Sequence, residues 1–303
     1  MRSWGFPLRI LGERPQWLST VGSLPAFDTA SPLLKIPFDD TDTAGFFRWD
    51  LFHNFHLGLG KTFVASAVCC VLELLNPLSL EAAFKALTED FAAYCQWKRQ
   101  SPYHKKLTSK FFGVEASFQD WPDAGWSKGD FTRLMCQWFE DYCSREVVGH
   151  TEDPLYLKCA EAVCDANYFL SSLYHQGLFL RAPKAADIAQ RGLKFLREYT
   201  VLAQMSFRRN QKRFALIPKG HYLHHQLLDL LHQSRRCDWC PNLLLYGCQL
   251  EEDYVGRPSR LSRRVSPKTV PLRVLQRSFL AIRSALGDEA DDASQDVPTK
   301  GSA

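Results

Sequence analysis

The sequence predicts a mainly α-helical chain with a few short strands. Apolar residues recur three and four positions apart over several long windows, which is the spacing of one helix face. Helix start and stop signals flank those windows, with Ser or Pro at the openings and Asn-Pro at one close. Strand-like stretches are confined to three places, around residues 46–52, 214–217 and 243–248.

Residues 1–45 carry Pro7, Pro15, Pro25, Pro32 and Pro37, too many for a long helix, and read as an irregular lead-in. Phe46 to Phe52 reads as a short strand, followed by a glycine turn at Gly58 and Gly60. The run TFVASAVCCVLELL then reads as a buried helix stopped by Asn76-Pro77. Ser79 is the expected N-cap of a helix to Gln100, with Leu80, Phe84, Leu87, Phe91 and Tyr94 on its apolar face. Residues 101–127 form an aromatic, Gly- and Pro-punctuated connection. Helices are expected at Asp130–Ser144, Pro154–His175, Lys184–Phe207 and Tyr222–Gln233. Ser266 and Pro267 open a last helix to about Leu286. The expected organisation is one mainly helical domain over 46–286 and a disordered acidic tail over 287–303.

A chain of 303 residues can bury a sizeable core. Its 46% hydrophobic and 23% charged content is ordinary for a globular protein, and 13% aromatics predict a core of stacked rings. The net charge of +4 says less than its distribution. Tyr254 to Leu286 holds eight Lys or Arg and no acid, and Ser206 to Arg236 holds seven against Asp229 alone, as a polyanion-binding or a solvated helix face would. The ten cysteines are scattered, most of them on apolar helical faces (Cys69, Cys70, Cys136, Cys143, Cys159, Cys164). The opening MRSWGFPLRILGERPQW has no signal-peptide h-region. Together these predict reduced core thiols and an intracellular location, the nucleus included. The run Phe63–Leu75 is too short to span a bilayer, so no membrane partner is expected.

Four constellations could carry chemistry. Gly58-Leu-Gly60-Lys61-Thr62 before a helix is like the end of a phosphate loop, where backbone N–H groups, a Lys and a Thr would hold phosphate and magnesium. Phe55 stands where the full pattern needs glycine. Asp50-x-x-His53 pairs a carboxylate with an imidazole, and His53 can equally be a packed core histidine. Cys237-x-x-Cys240 with His221 could supply zinc ligands, although a second CxxC or HxxxH is missing and chance thiols in a loop are the alternative. Arg257, Arg260, Arg263 and Arg264, interleaved with Ser259 and Ser262, suit backbone phosphate in a sequence-independent, salt-sensitive way, or simply solubilise the surface.

The Asp50-x-x-His53 pair resembles the Asp-x-x-His signature of eukaryotic cut-and-paste transposases, and DLFHNFHLGLGKTFVASA is similar to a family of multicopy transposon-derived proteins of protist genomes. The likeness continues at Trp126-Ser-Lys128-Gly129-Asp130-Phe-Thr132, at Pro218-Lys219-Gly-His221 and at NLLLYGCQLEEDYVGRPSRLSRR (Asn242 to Arg264), covering roughly residues 40–285. What the resemblance implies is a DDE-type, RNase H-like core with a helical insertion, in which three carboxylates hold two Mg²⁺ or Mn²⁺ ions for phosphodiester cleavage. The third carboxylate is then Glu252, with a solvated acidic turn as the alternative. Asp50 and His53 organise the junction between core and insertion, with Asp50 a further metal ligand if the site is active. The family pattern places two more strand-borne carboxylates upstream, where Asp28, Asp39, Asp40 and Asp42 follow no central strand and there is no room for five strands. The expectation is therefore a partial transposase domain, its strands the remnant of that core, that binds DNA rather than cleaving it. A nucleotide-binding protein or a zinc-stapled helical interaction module are the readings from other classes.

Overall fold

The computed structural model describes residues 36–37, 48–74, 79–114, 121–263 and 265–295. The architecture is mainly helical, with eight α-helices and one two-stranded sheet among the described residues. It falls into two compact units, Met1–Gly247 and Cys248–Ala303.

The first unit is built round one apolar rod that bends at Gly58. Helix starts at Leu51, runs through π-helical turns at Phe52–Leu59 and continues as α1, Gly60–Leu74. From Phe63 to Leu72 the only polar side chain of α1 is the buried Ser66, so this stretch must be covered on all faces, and Phe63, Val64, Val68 and Cys69 are all at most 1% exposed. The 22 residues Phe52–Glu73 are long and apolar enough to cross a membrane by length and composition, yet 83% of that window is buried inside the protein. The rod is thus accounted for as a core helix.

Its cover comes from α3 (Gly129–Glu146), α4 (Pro154–Tyr174), α5 (Ala182–Arg208) and α6 (Pro218–Gln233), and α2 (Leu80–Trp97) packs on α3. Ser79 caps α2, its hydroxyl accepting the Ala82 N–H at 3.1 Å. Asp153 caps α4 by accepting from Leu155 N–H at 2.9 Å, with Pro154 in the first turn. The periodic faces point inward as their spacing requires: Phe84, Leu87, Phe91 and Tyr94 of α2 and Phe131, Trp138 and Tyr142 of α3 are buried. Phe91 meets Phe131 and Trp138 edge-on, at 6.0 and 5.5 Å between centroids. Asp165 of α4 is nearly fully buried but paired with Arg191 and Lys194 of α5 at 2.8 and 2.6 Å, which offsets its desolvation.

The strands are not where the sequence put them. Residues 48–50 have no regular secondary structure and the chain turns helical at Leu51, while 46–47 lie outside the described residues; 214–217 is an irregular lead to α6; Leu243–Tyr246 is a 3₁₀ turn. The sheet is instead β1 (Phe179–Arg181) against β2 (Trp239–Pro241), antiparallel, with Leu180 opposite Cys240. Residues 211–217 fail as a strand because their polar groups are spent on α1. The buried Arg213 guanidinium pairs with Glu73, Gln211 donates to Glu73 at 2.6 Å, and Phe214 N–H donates to Ser66 Oγ at 2.9 Å. Phe214 takes a left-handed backbone (φ 55°) to make that corner.

All ten cysteines are free thiols, and seven are buried. Cys164, expected on an apolar face, is exposed.

The second unit contains α7 (Gln249–Ser262), a 3₁₀ turn (Pro267–Thr269) and α8 (Val270–Gln295). The Arg277 guanidinium of α8 donates to Leu261 O at 2.5 Å, joining the two helices. α8 continues nine residues past Leu286, into the stretch the sequence reads as a disordered tail. Residues 296–303 lie outside the described residues.

Candidate functional site

The signature segment forms the bend between the π-helical turns and α1. Gly60 N–H reaches back five residues to Phe55 O, and Gly58 departs from helical geometry (φ −127°, ψ −116°). A kink of this kind strips carbonyls of their helical partners, and buried carbonyls must find others. Three side chains supply them. Thr132 Oγ1 donates to His56 O at 2.5 Å, Lys219 Nζ to Leu57 O at 3.1 Å, and Thr62 Oγ1 to Gly58 O at 3.2 Å. Trp126 Nε1 in turn donates to Thr132 Oγ1 at 2.7 Å, and Lys61 Nζ donates to Trp126 O at 2.9 Å. The segments 50–62, 126–132 and 218–219, far apart in sequence, therefore meet at one corner.

The glycines fit this packing. A Cβ on Gly60 would stand 2.4 Å from the Phe55 ring, and one on Gly129 would stand 2.3 Å from the Phe52 ring. A Cβ on Gly58 would lie 2.6 Å from both His53 O and Lys219 Cδ.

Asp50 and His53 sit at the start of this helix. The Asp50 carboxylate accepts from Phe52 N–H at 2.8 Å and His53 N–H at 3.0 Å, and the His53 Nδ1 lies 2.5 Å from Asp50 Oδ2. This is a capping arrangement that also fixes the imidazole. Both side chains are of metal-ligating type and lie side by side, which is compatible with a divalent ion. For a hard ion such as Mg²⁺ the fit is poor. A carboxylate offers about four lone-pair positions, and three donors already use Asp50. Asp28, Asp39, Asp40 and Asp42 lie outside the described residues.

His56, one turn on, is buried, with Nε2 3.1 Å from the Tyr174 hydroxyl. Burial brings its pKa down to about 4, against a smaller upward pull from a backbone hydrogen bond to Gly129. Sequence reading passed over His56, Thr132, Tyr174 and Lys219 as site residues. Only the recurrence of the Thr132 and Lys219 segments in the resemblance marked them.

The phosphate-loop alternative does not fit. Gly60, Lys61 and Thr62 lie in the first turn of α1, directly after the kink at Gly58, rather than in a loop wrapped round a phosphate. Thr62 is engaged by Gly58 O and Lys61 by Trp126 O. Burial, with Lys219 nearby, holds the Lys61 ammonium below the ordinary lysine range.

The zinc set does not gather either: His221, Cys237 and Cys240 do not bring their ligand atoms within 4.8 Å of one another. Cys240 faces the core from β2, where burial, and next the nearby Cys237 thiol, push its pKa up and disfavour the thiolate. Cys237 is exposed, and His221 faces His225, with the two Nε2 atoms 3.0 Å apart.

The remaining predicted residues belong to the second unit. Glu252 is exposed on α7, with its N–H bonded to Cys248 O at 2.8 Å. Arg257 and Arg260 are on the same helix and Arg263 ends it; Arg260 and Arg263 are exposed. Arg264 lies outside the described residues. No protein-family profile, curated protein or solved structure matches the chain.

Proposed function

We propose that this chain is a transposase-derived helical protein that binds the phosphate backbone of DNA and does not cleave it. The observation that carries the reading is the exposed basic face of the second unit. Arg260, Arg263, Lys268, Arg273 and Arg283 are exposed, and no acid occurs between Tyr254 and Leu286. Such a face neutralises phosphates and releases counterions, with no pattern that would read bases. The corner at residues 50–62 supports the absence of turnover. Lys219, Thr62 and Thr132 are spent on carbonyls of the kink, Lys61 on Trp126 O and Asp50 on the N–H groups of Phe52 and His53, which favours a signature that holds a fold over one that holds a reacting phosphate.

Fluorescence anisotropy of a labelled mixed-sequence duplex tests this. Affinity should fall with salt, be the same for a scrambled duplex, and lose about 0.9 in logarithmic salt slope for each phosphate contact removed in Arg260→Ala/Arg263→Ala. Absence of binding at low salt overturns the proposal. Duplex nicking with Mg²⁺ or Mn²⁺ that Glu252→Gln abolishes would restore the enzyme.

A further inference from the structure

The α8 helix carries an exposed apolar stripe. Leu272, Leu275, Phe279 and Ile282 follow one another at steps of three, four and three, and the sequence extends the step of four to Leu286. Those four are 58%, 57%, 68% and 55% exposed. Three-four alternation is the seam of a two-helix coiled coil rather than the wider face a helix shows to a globular core. A monomer gains nothing by wetting four large side chains in a row.

Charge along α8 is sorted by position. Lys268 lies just before it, Arg273 and Arg277 in its first half and Arg283 at its middle. Asp288, Glu289, Asp291 and Asp292 follow in its last turns. A parallel pair of such helices would set acid beside acid and base beside base. An antiparallel pair centred on Phe279 sets the acidic positions 288–292 opposite positions 266–270, which include Lys268, with Arg273 one turn on. Leu272 then meets Leu286, Leu275 meets the region of Ile282, and Phe279 meets itself on the two-fold axis.

We propose that α8 is the dimerisation element of this protein, pairing antiparallel with α8 of a second copy. The narrow seam and acidic end argue against an anionic membrane as the occupant, since those acids would be repelled by its surface.

Sedimentation velocity of the full chain, over a roughly hundredfold concentration range, reads the monomer–dimer balance. Dimer should grow with concentration and weaken with salt. Phe279→Glu should leave a monomer with an unchanged far-ultraviolet helix signal. Because that variant could perturb folding, charge exchange provides the independent arm. Lys268→Glu should weaken the dimer, and adding Glu289→Lys in the same chain should restore it, which only antiparallel pairing explains. Monomer at every concentration overturns the proposal. So does a dimer indifferent to Phe279→Glu, a charge exchange without rescue, or a monomer that sediments with phosphatidylserine vesicles.

Discussion

Among single residues, His56 and Glu198 respond to pH in opposite senses. His56 is neutral when folded, with its pKa brought from 6.5 to about 4 chiefly by burial. Its contribution to stability is present above the unfolded value of 6.5 and is lost as pH falls from there towards 4; the shift corresponds to roughly 3 kcal/mol. Burial and the neighbouring Asp165 carboxylate raise the Glu198 pKa to about 7. Its protonated form is the favoured one, so its contribution is present below 4.5 and is lost as pH rises through 7. Melting temperature against pH separates the two. His56→Gln should lose less stability than the parent on acidification from neutrality to about pH 5, and Glu198→Gln should lose less than the parent as pH rises through about 7. Parallel curves for parent and variants would contradict both assignments. At this scale the sequence displayed the identity of the signature residues but not their employment. Asp50 and Lys61 look like ligands in one dimension. Only the folded chain shows that Asp50 is taken up in capping the helix start and Lys61 in holding Trp126 O, a carbonyl 65 residues away.

Helix by helix, the long amphipathic segments were legible because one face had to be buried: α2 through α6 all begin within four residues of where spacing and caps put them. The three-residue strands were not, since β1 and β2 are too short to alternate and exist by pairing across the chain. α7 was hidden by Gly256 and Pro258, which interrupt a helix on paper and are tolerated in it here. Packing between elements leans on small residues. Gly192 of α5 lets Leu227 of α6 approach until an added Cβ would stand 2.5 Å from its Cδ2 and 3.2 Å from the Phe169 ring of α4. Gly192→Ala should therefore cost about 1–3 kcal/mol in urea unfolding through overpacking, despite alanine's better helix propensity. A stabilised variant would show that α5 and α6 can separate.

For the molecule as a whole, the two proposals are coupled. If α8 pairs two chains, each dimer presents two basic faces to one polyanion, and the second contact occurs at the effective concentration set by the first. Phe279→Glu should then weaken duplex binding several-fold on DNA long enough for both faces, and little on a duplex that accommodates one. Equal loss on both lengths would mean that Phe279 acts on the basic face itself. Composition announced an aromatic core and a basic C-terminal region. It did not announce that the chain divides at Gly247, because contacts rather than residue types draw that boundary.

The bend at Gly58 has a kinetic consequence. Two of the three donors that complete it, Thr132 and Lys219, arrive from 76 and 162 residues away. Local propensity alone would wind this stretch straight. The bend can therefore be set only after the α3 and α6 partners have arrived, late on the folding path, and the loop-closure entropy of those arrivals has to be overcome first. Mutations there should accelerate unfolding while hardly slowing refolding, the mark of contacts absent from the transition state.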